Sequence, residues 1–328
     1  MGLVSDSDIA KAVEILRAGG LVAFPTETVY GVGADASNPS ALRRLFEAKG
    51  RPTSHPVIVH VRGASELARS AREVPSLALR LTDRFWPGPL TLVLKRAAAV
   101  LDQVTGGEDT VGLRAPAHPV AQRLLQAFGG GIAAPSANRF GRLSPTTAQH
   151  VRDELGDAVD LVLDGGACEV GIESTIIDLS RGTPVLLRPG RIGIAEIETA
   201  AGAKVAQRTS SSPRAPGTLA AHYAPRIPLI LAATAELERV VGEQAASGSV
   251  AVLARHPQPP DSRAALWQIA ATGAQAYAHD LYALLRALDR SGCARIVVEA
   301  PPEHAEWDAV RDRLTRAAAG SAGANGTG

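Results

Sequence analysis

Five stretches of the chain repeat one composition, in which small hydroxyl and amide side chains sit among prolines, glycines and cations. They are Pro25-Thr26-Glu27-Thr28-Val29-Tyr30-Gly31-Val32-Gly33, Lys49-Gly50-Arg51-Pro52, Trp86-Pro87-Gly88-Pro89-Leu90-Thr91, Ala134-Pro135-Ser136-Ala137-Asn138-Arg139-Phe140-Gly141 with Ser144-Pro145 after it, and Glu173-Ser174-Thr175. The fourth follows the apolar pair Ile132-Ala133. A short strand therefore opens there into a loop whose backbone N–H groups, joined by Ser and Asn donors, can close around phosphate or carboxylate oxygens. That is anion-binding chemistry built from loops.

Lys49 and Arg51 end a predicted helix and precede Pro52. They either complement the negative end of that helix or bracket a polyphosphate, a point-charge ammonium beside a forked guanidinium. Arg114 closes a strand two residues before Pro116, which suits a bidentate grip on a carboxylate or a structural ion pair. His60, inside an apolar strand, reads equally as a satisfied core histidine or as a ligand contact. Thr28 and Tyr30 could simply hold the turn after Pro25, and Ser174 could simply pair a neighbouring strand. No G-x-x-x-x-G-K-S/T, H-E-x-x-H or G-x-S-x-G occurs, and Gly31-Val32-Gly33 lacks the third glycine of a dinucleotide fingerprint. No metal ligands are assigned.

The elements that must position these residues follow from periodicity. Ile9, Val13 and Leu16 recur at helical spacing and stop at Gly19-Gly20; 41–49, 64–72 and 76–85 repeat the pattern. Short apolar runs at 21–24, 57–61, 90–94, 111–114, 132–134, 161–164, 174–178 and 185–188 read as strands. The first 200 or so residues are thus an α/β domain whose loops converge on one face. Linker composition fills 207–226. Beyond it, runs at 227–231, 250–253 and 295–298 alternate with helical segments at 236–246 and 280–289, as in a small parallel, Rossmann-like unit. The Ala/Gly-rich stretch 317–328 is expected to be disordered.

Composition narrows the function. With 34 basic against 33 acidic residues, the net charge of +1 gives no global field for nucleic acid or a membrane surface. The first residues are acidic rather than basic, and nowhere do about 18 apolar residues run together. Cys168 and Cys293 show no paired spacing, so neither a disulfide framework nor structural zinc is expected, and the location is read as cytoplasmic.

Taken together, 24–33, 49–61, 86–94, 111–114, 134–144, 173–177, Arg188-Pro189-Gly190 and the linker signature Pro216-Gly217 with His222-Tyr223-Ala224-Pro225 resemble the YrdC-like family in its longer, two-domain form. The resemblance implies a YrdC-like twisted mixed sheet with helices and an open concave site over 1–206, a linker acting as a lid over 207–226, a smaller parallel α/β domain over 227–316 and a tail from 317. It implies L-threonylcarbamoyladenylate synthesis: threonine and bicarbonate give N-carboxythreonine, which attacks the α-phosphorus of ATP, and the product passes to a tRNA threonylcarbamoyltransferase complex that modifies adenosine beside the anticodon. Carried over by position, Thr28, His60, Arg114, Ala134 and Ser174 surround threonine; Arg51, His55, Thr110, Ser136, Asn138, Ser144, Arg188 and Tyr223 fall to ATP; Lys49, Arg51 and Arg114 are catalytic. Mg2+ would arrive with ATP. Two positions depart from the family pattern: His55 stands where Asn is usual, and Thr218-Leu219-Ala220-Ala221 replaces bulkier, more basic residues.

Two other readings compete. An RNA-binding or ribosome-associated module would use the same concave face, against which stand the neutral charge and only 4% aromatic residues. Carbamoyl transfer of the hydrogenase-maturation kind would need acylphosphatase and zinc-finger segments that the sequence lacks.

Overall fold

A computed structural model describes residues 4–322. The helix Asp6–Arg17 begins at a reciprocal cap: Ser5 Oγ accepts from Asp8 N at 3.1 Å, and the Asp8 carboxylate accepts from Ser5 N at 2.9 Å. Helix Pro39–Lys49 starts at Asn38, whose side chain accepts from Ser40 and Ala41 N–H, and stops at Gly50, which is left-handed at φ 59°. That stop fixes the exit of Lys49 and Arg51. The chain forms two units, Met1–Phe140 with Pro145–Thr218, and Gly141–Ser144 with Leu219–Gly328.

Ten strands make the sheet of the first unit: β1 (Val22–Phe24), β2 (Gly31–Asp35), β3 (Ile58–His60), β4 (Leu90–Lys95), β5 (Thr110–Arg114), β6 (Ile132–Ala133), β7 (Leu161–Val162), β8 (Thr175–Asp178), β9 (Val185–Arg188) and β10 (Ala206–Gln207). Their order is β10-β9-β8-β4-β5-β3-β6-β2-β1-β7. β3 runs parallel to β5 with His60 opposite Arg114, whereas β4 is antiparallel to β5, β8 is parallel to β4 and β9 is antiparallel to β8. The C-terminal ends of β3, β5 and β9 therefore meet the N-terminal ends of β4 and β8 at one margin.

Side chains alternate across this sheet. Val59, Leu92, Leu94, Val111, Leu113 and Ile177 face helices that bring Leu42, Leu45 and Leu81 into the main core. Each fully buried leucine there contributes roughly 2 kcal/mol. The opposite face carries Ile58, His60, Thr91, Val93, Thr110, Gly112, Arg114 and Ile176. Its apolar cluster is small, Ile58, Val93, Ile176 and Leu187 with Ala215 packed on them. Over β1 and β6 the same face carries a second core, in which Ile9, Leu16, Val22, Phe24, Leu124 and Ile132 pack together, so the polar groups are concentrated over β3, β4, β5 and β8.

The second unit has four parallel strands, β11 (Leu229–Ala232), β12 (Val250–Ala254), β13 (Leu266–Ile269) and β14 (Arg295–Glu299), in the order β11-β14-β12-β13. β13 is absent from the sequence reading: as an edge strand with Leu266 and Ile269 exposed, it lacks a buried strand's apolar run. A second correction concerns the chain end. Helix Asp308–Ala322 continues through 317–322, where disorder was expected, because Ala317 and Ser321 are buried and Ser321 Oγ accepts from Leu229 N at 2.8 Å. Residues 323–328 lie outside the described residues, as do 1–3. The stretch 64–72 is a 3₁₀ turn, Ala64–Glu66, followed by one helical turn, Leu67–Ser70, since Ala71 leaves it to bridge Arg96. Among the described residues no helix is long and apolar enough to cross a membrane.

Gly190 sits where the chain after β9 passes the start of β8, and a Cβ there would lie 2.3 Å from Thr175 N and 2.6 Å from Ser174 C. Gly190→Ala should lower the unfolding free energy by about 1–3 kcal/mol. Gly63→Ala, with nothing within 4 Å of the added Cβ, should stay within about 0.5 kcal/mol of the parent. Urea titration of both variants checks this; equal midpoints would contradict the close approach.

Candidate active site

At the shared strand margin a guanidinium and a carboxylate are buried together. Arg114 Nη2 donates to Glu27 Oε1 at 2.6 Å, with the side chains only 5% and 7% exposed. Glu27 Oε2 accepts from Ala117 N at 2.9 Å, and Arg114 Nε donates to Gly88 O at 3.3 Å. Arg114 Nη1 is left without a protein partner among the described residues. Of the two readings of Arg114, the ion pair is present, and it fixes the plane of the fork with one prong left over. Glu27 was not singled out from the sequence. The signal was there, an acid enclosed by Phe24-Pro25 and Val29-Tyr30, where an unpaired carboxylate would not be tolerated.

His60 lies beside Arg114 in register and is 3% exposed. Burial pushes its pKa down to about 3, and the neighbouring Arg114 charge acts in the same direction. Its imidazole is neutral at physiological pH. Thr28 is fully buried, its Oγ1 2.8 Å from Thr26 Oγ1. Ser174 Oγ lies 2.8 Å from Thr91 Oγ1 and accepts from Arg188 Nη2 at 3.1 Å, while Arg188 also donates to Ser174 O and, through Nη1, to Pro216 O at 3.0 Å. Arg188, assigned from the sequence to ATP, is therefore wired to Ser174 at the opposite margin from Thr110. Thr91, fully buried, was not singled out individually from the sequence, although the β4 alternation puts it on the same face as Arg114.

Toward the other ends of β3 and β5 lies a second group. Thr110 and Arg114 are four residues apart on one face of β5, about 13 Å in extended chain. Arg51 Nη2 donates to Pro56 O at 2.8 Å, and its guanidinium lies 5.5 Å from the Phe140 ring centroid. His55 packs edge-on against the same ring at 5.3 Å; burial, then Arg51 and Arg214, lowers its pKa. Lys49 is 2% exposed and donates to Ser136 O at 2.5 Å and to Asn138 O. Burial first, then Arg51, drives its pKa well below the ordinary lysine value. Its two bonds to carbonyls shape the Ser136–Asn138 loop. Ala134 N–H is taken by Ile58 O at 2.9 Å.

Ser144 and Tyr223 belong to the second unit. Tyr223 is buried with a φ of 59°, its ring 5.2 Å from the Arg313 guanidinium. Among the described residues no three His, Cys, Asp or Glu side chains are grouped to hold a metal.

A family model for Sua5, YciO and YrdC, described as Telomere recombination, matches residues 14–190. The chain belongs to the Sua5/YciO/YrdC family. A second model, described as Threonylcarbamoyl-AMP synthase, C-terminal domain, matches residues 192–319, so the two-domain form read from the motifs holds along the chain. The chain is 38% identical over 326 residues to the threonylcarbamoyl-AMP synthase of Pyrococcus abyssi, covering 96% of this chain and 95% of that protein. The Bacillus subtilis protein of the same name is also 38% identical, covering 96% and 94%. The crystal structure of P. abyssi Sua5 complexed with L-threonine matches with a TM-score of 0.90 at 37% identity, over 97% of this chain and 96% of that one.

Removing one member of the buried pair strands the other. Arg114→Ala should destabilise the fold by about 3–5 kcal/mol, and the double variant Glu27→Gln/Arg114→Met should recover most of that. Denaturant melts read both, and a double variant no more stable than Arg114→Ala would contradict the pair. His60 adds a pH signature. Unfolded, it titrates near 6.5; folded, near 3. Between those values the unfolded chain binds the extra proton, so the stability His60 contributes is complete above about pH 6.5 and is lost as pH falls. His60→Gln should flatten the fall in melting temperature from about pH 6.5 to 4; parallel curves for parent and variant would contradict a buried neutral imidazole.

Proposed function

We propose that this protein is a threonylcarbamoyl-AMP synthase, a nucleotidyltransferase that converts L-threonine, bicarbonate and ATP into threonylcarbamoyl-AMP and pyrophosphate. The observation that carries the reading is the open Nη1 of Arg114, held by Glu27 beside neutral His60, at one margin of a sheet face that continues to Thr110. Threonine is a zwitterion, and the Glu27–Arg114 pair is neutral overall. The substrate carboxylate pairs with Nη1, and neither His60 nor the pair repels the ammonium. Thr28, Ser174 and the Ala134 backbone complete the pocket around the side chain. With its pKa pushed down to about 3, His60 is an uncharged neighbour of the ammonium and not the acceptor of its proton, which leaves to solvent before the amine reacts.

The freed amine attacks bicarbonate, giving the carbamate and water. A carbamate oxygen then attacks the α-phosphorus, the bond to the bridging oxygen breaks and pyrophosphate leaves. Positioning and charge neutralisation dominate such a step. Arg51, the third donor of Lys49, and the Ser136, Asn138, Thr110 and His55 donors are suited to the phosphates and nucleoside, and Mg2+ is carried in by the phosphate oxygens. Arg188 orients Ser174 and leaves direct phosphate contact to Arg51. The product would pass to a tRNA threonylcarbamoyltransferase complex. The free buried thiols Cys168 and Cys293 suit the cytoplasm, where thiols stay reduced.

Purified protein given ATP, Mg2+ and bicarbonate should release pyrophosphate only when threonine is added. Threonine-independent release, or none, would contradict the activity. In the Glu27→Gln/Arg114→Met variant KM for threonine should rise by at least about tenfold, the loss of one charge-assisted pair, with KM for ATP within about twofold. Equal increases for both substrates would contradict the assignment of Arg114.

A further inference from the structure

Four residues in the middle of the Ser/Asn loop, Gly141–Ser144, fold with the second unit although Phe140 before them and Pro145 after them belong to the first. Both flanks are fixed. Phe140 N donates to Lys49 O at 2.8 Å, and Tyr30 N donates to Pro145 O at 2.8 Å. Between them Leu143 and Ser144 are buried, 2% and 0% exposed. Their anchor is Arg286 on helix Ala274–Asp289, itself 5% exposed, whose Nη2 donates to Leu143 O at 2.5 Å. A second anchor is a backbone strap, in which Ala224 N donates to Gly141 O at 2.8 Å, Arg142 Nη1 donates to Pro225 O at 3.0 Å, and Arg142 and Ala224 form a parallel bridge. The strap is seated in turn on helix Asp308–Ala322. His222 N donates to Arg316 O at 3.2 Å, and a Cβ on Gly320 would come within 2.9 Å of the Ala224 Cβ.

A buried guanidinium that donates to a carbonyl of a short turn restricts that turn to conformations that keep the bond, because a buried polar group left unpaired is costly. The turn is spliced covalently between Asn138 and Pro145. We propose that Arg286 and the 222–225 strap clamp the Gly141–Ser144 turn, with Arg286 as its positioning residue, so that the nucleotide-binding conformation of the Ser136–Asn138 segment joined covalently to that turn depends on a helix more than a hundred residues downstream in the sequence. The inference rests on the reading of Ser136 and Asn138 as ATP contacts. It gives the C-terminal domain a task, preorganising a substrate loop in place of binding a ligand of its own.

The test uses the full-length protein with Arg286→Met, which keeps length without charge, and Arg286→Lys, which keeps a donor. In Arg286→Met KM for ATP should rise about tenfold, the factor carried by a lost charge-assisted hydrogen bond, with KM for threonine within about twofold. Arg286→Lys should recover part of the ATP affinity. Amide hydrogen exchange should accelerate at 141–144 in Arg286→Met while β12 keeps its protection. A folded Arg286→Met with parent KM for ATP and parent exchange at 141–144 would overturn the clamp, as would equal increases in both KM values with exchange raised throughout the second unit. If Arg286→Met does not fold, Arg286→Lys is decisive, since an unchanged KM for ATP together with unchanged exchange at 141–144 overturns the clamp. Should the parent protein itself release no threonine-dependent pyrophosphate, the enzymatic reading fails, and the exchange comparison still decides the clamp.

Discussion

A guanidinium and a carboxylate removed from water need one another, and most of the site is arranged around that need. Neither Glu27 nor Arg114 would be tolerated alone at their depth, where an unpaired charge costs several kcal/mol. Their pairing at 2.6 Å ties the turn after β1 to the end of β5, Ala117 N–H fastens the second carboxylate oxygen, and Gly88 O steadies Nε. Three loops distant in sequence are thereby held to one point. The direction of the remaining guanidinium N–H bonds follows from this.

Strand alternation divides the rest of the work. One face of the ten-stranded sheet packs on the main core, the other packs on a second core over β1 and β6, and the polar residues His60, Thr91, Thr110 and Arg114 share that second face over β3, β4 and β5. Buried cations then shape the rim. Lys49 grips two carbonyls of the Ser136–Asn138 loop and Arg188 grips Ser174. These side chains build loop geometry. Residues of one chemical type differ in what they hold, since Arg51 donates to Pro56 O, Arg114 to Glu27 and Gly88 O, and Arg188 to Ser174 and Pro216 O.

Much of this was legible in the sequence. Apolar runs announce β3, β4 and β5, Gly50 announces the end of a helix, and the Pro/Gly/Ser stretches announce the loops between strands, because each depends on neighbours within a few residues. Less legible were features that depend on distant partners. Glu27 looks like any turn acid until Arg114 is seen beside it, 87 positions away. The tail at 317–322 has a disordered composition yet is helical, because it packs on β11 through Ser321. Nothing local marks Gly141–Ser144 as part of the second unit, since the partners that bind it, among them Arg286, Ala224 and Pro225, are remote in the chain.

The most direct measurement is a crystal structure with threonine and a non-hydrolysable ATP analogue bound. It should show the amino-acid carboxylate on Arg114 Nη1, the Glu27–Arg114 pair intact, and the triphosphate toward Arg51 and the Ser136–Asn138 loop. Threonine bound away from Arg114, or a carboxylate that displaces Glu27 from it, would contradict the central role given to the pair.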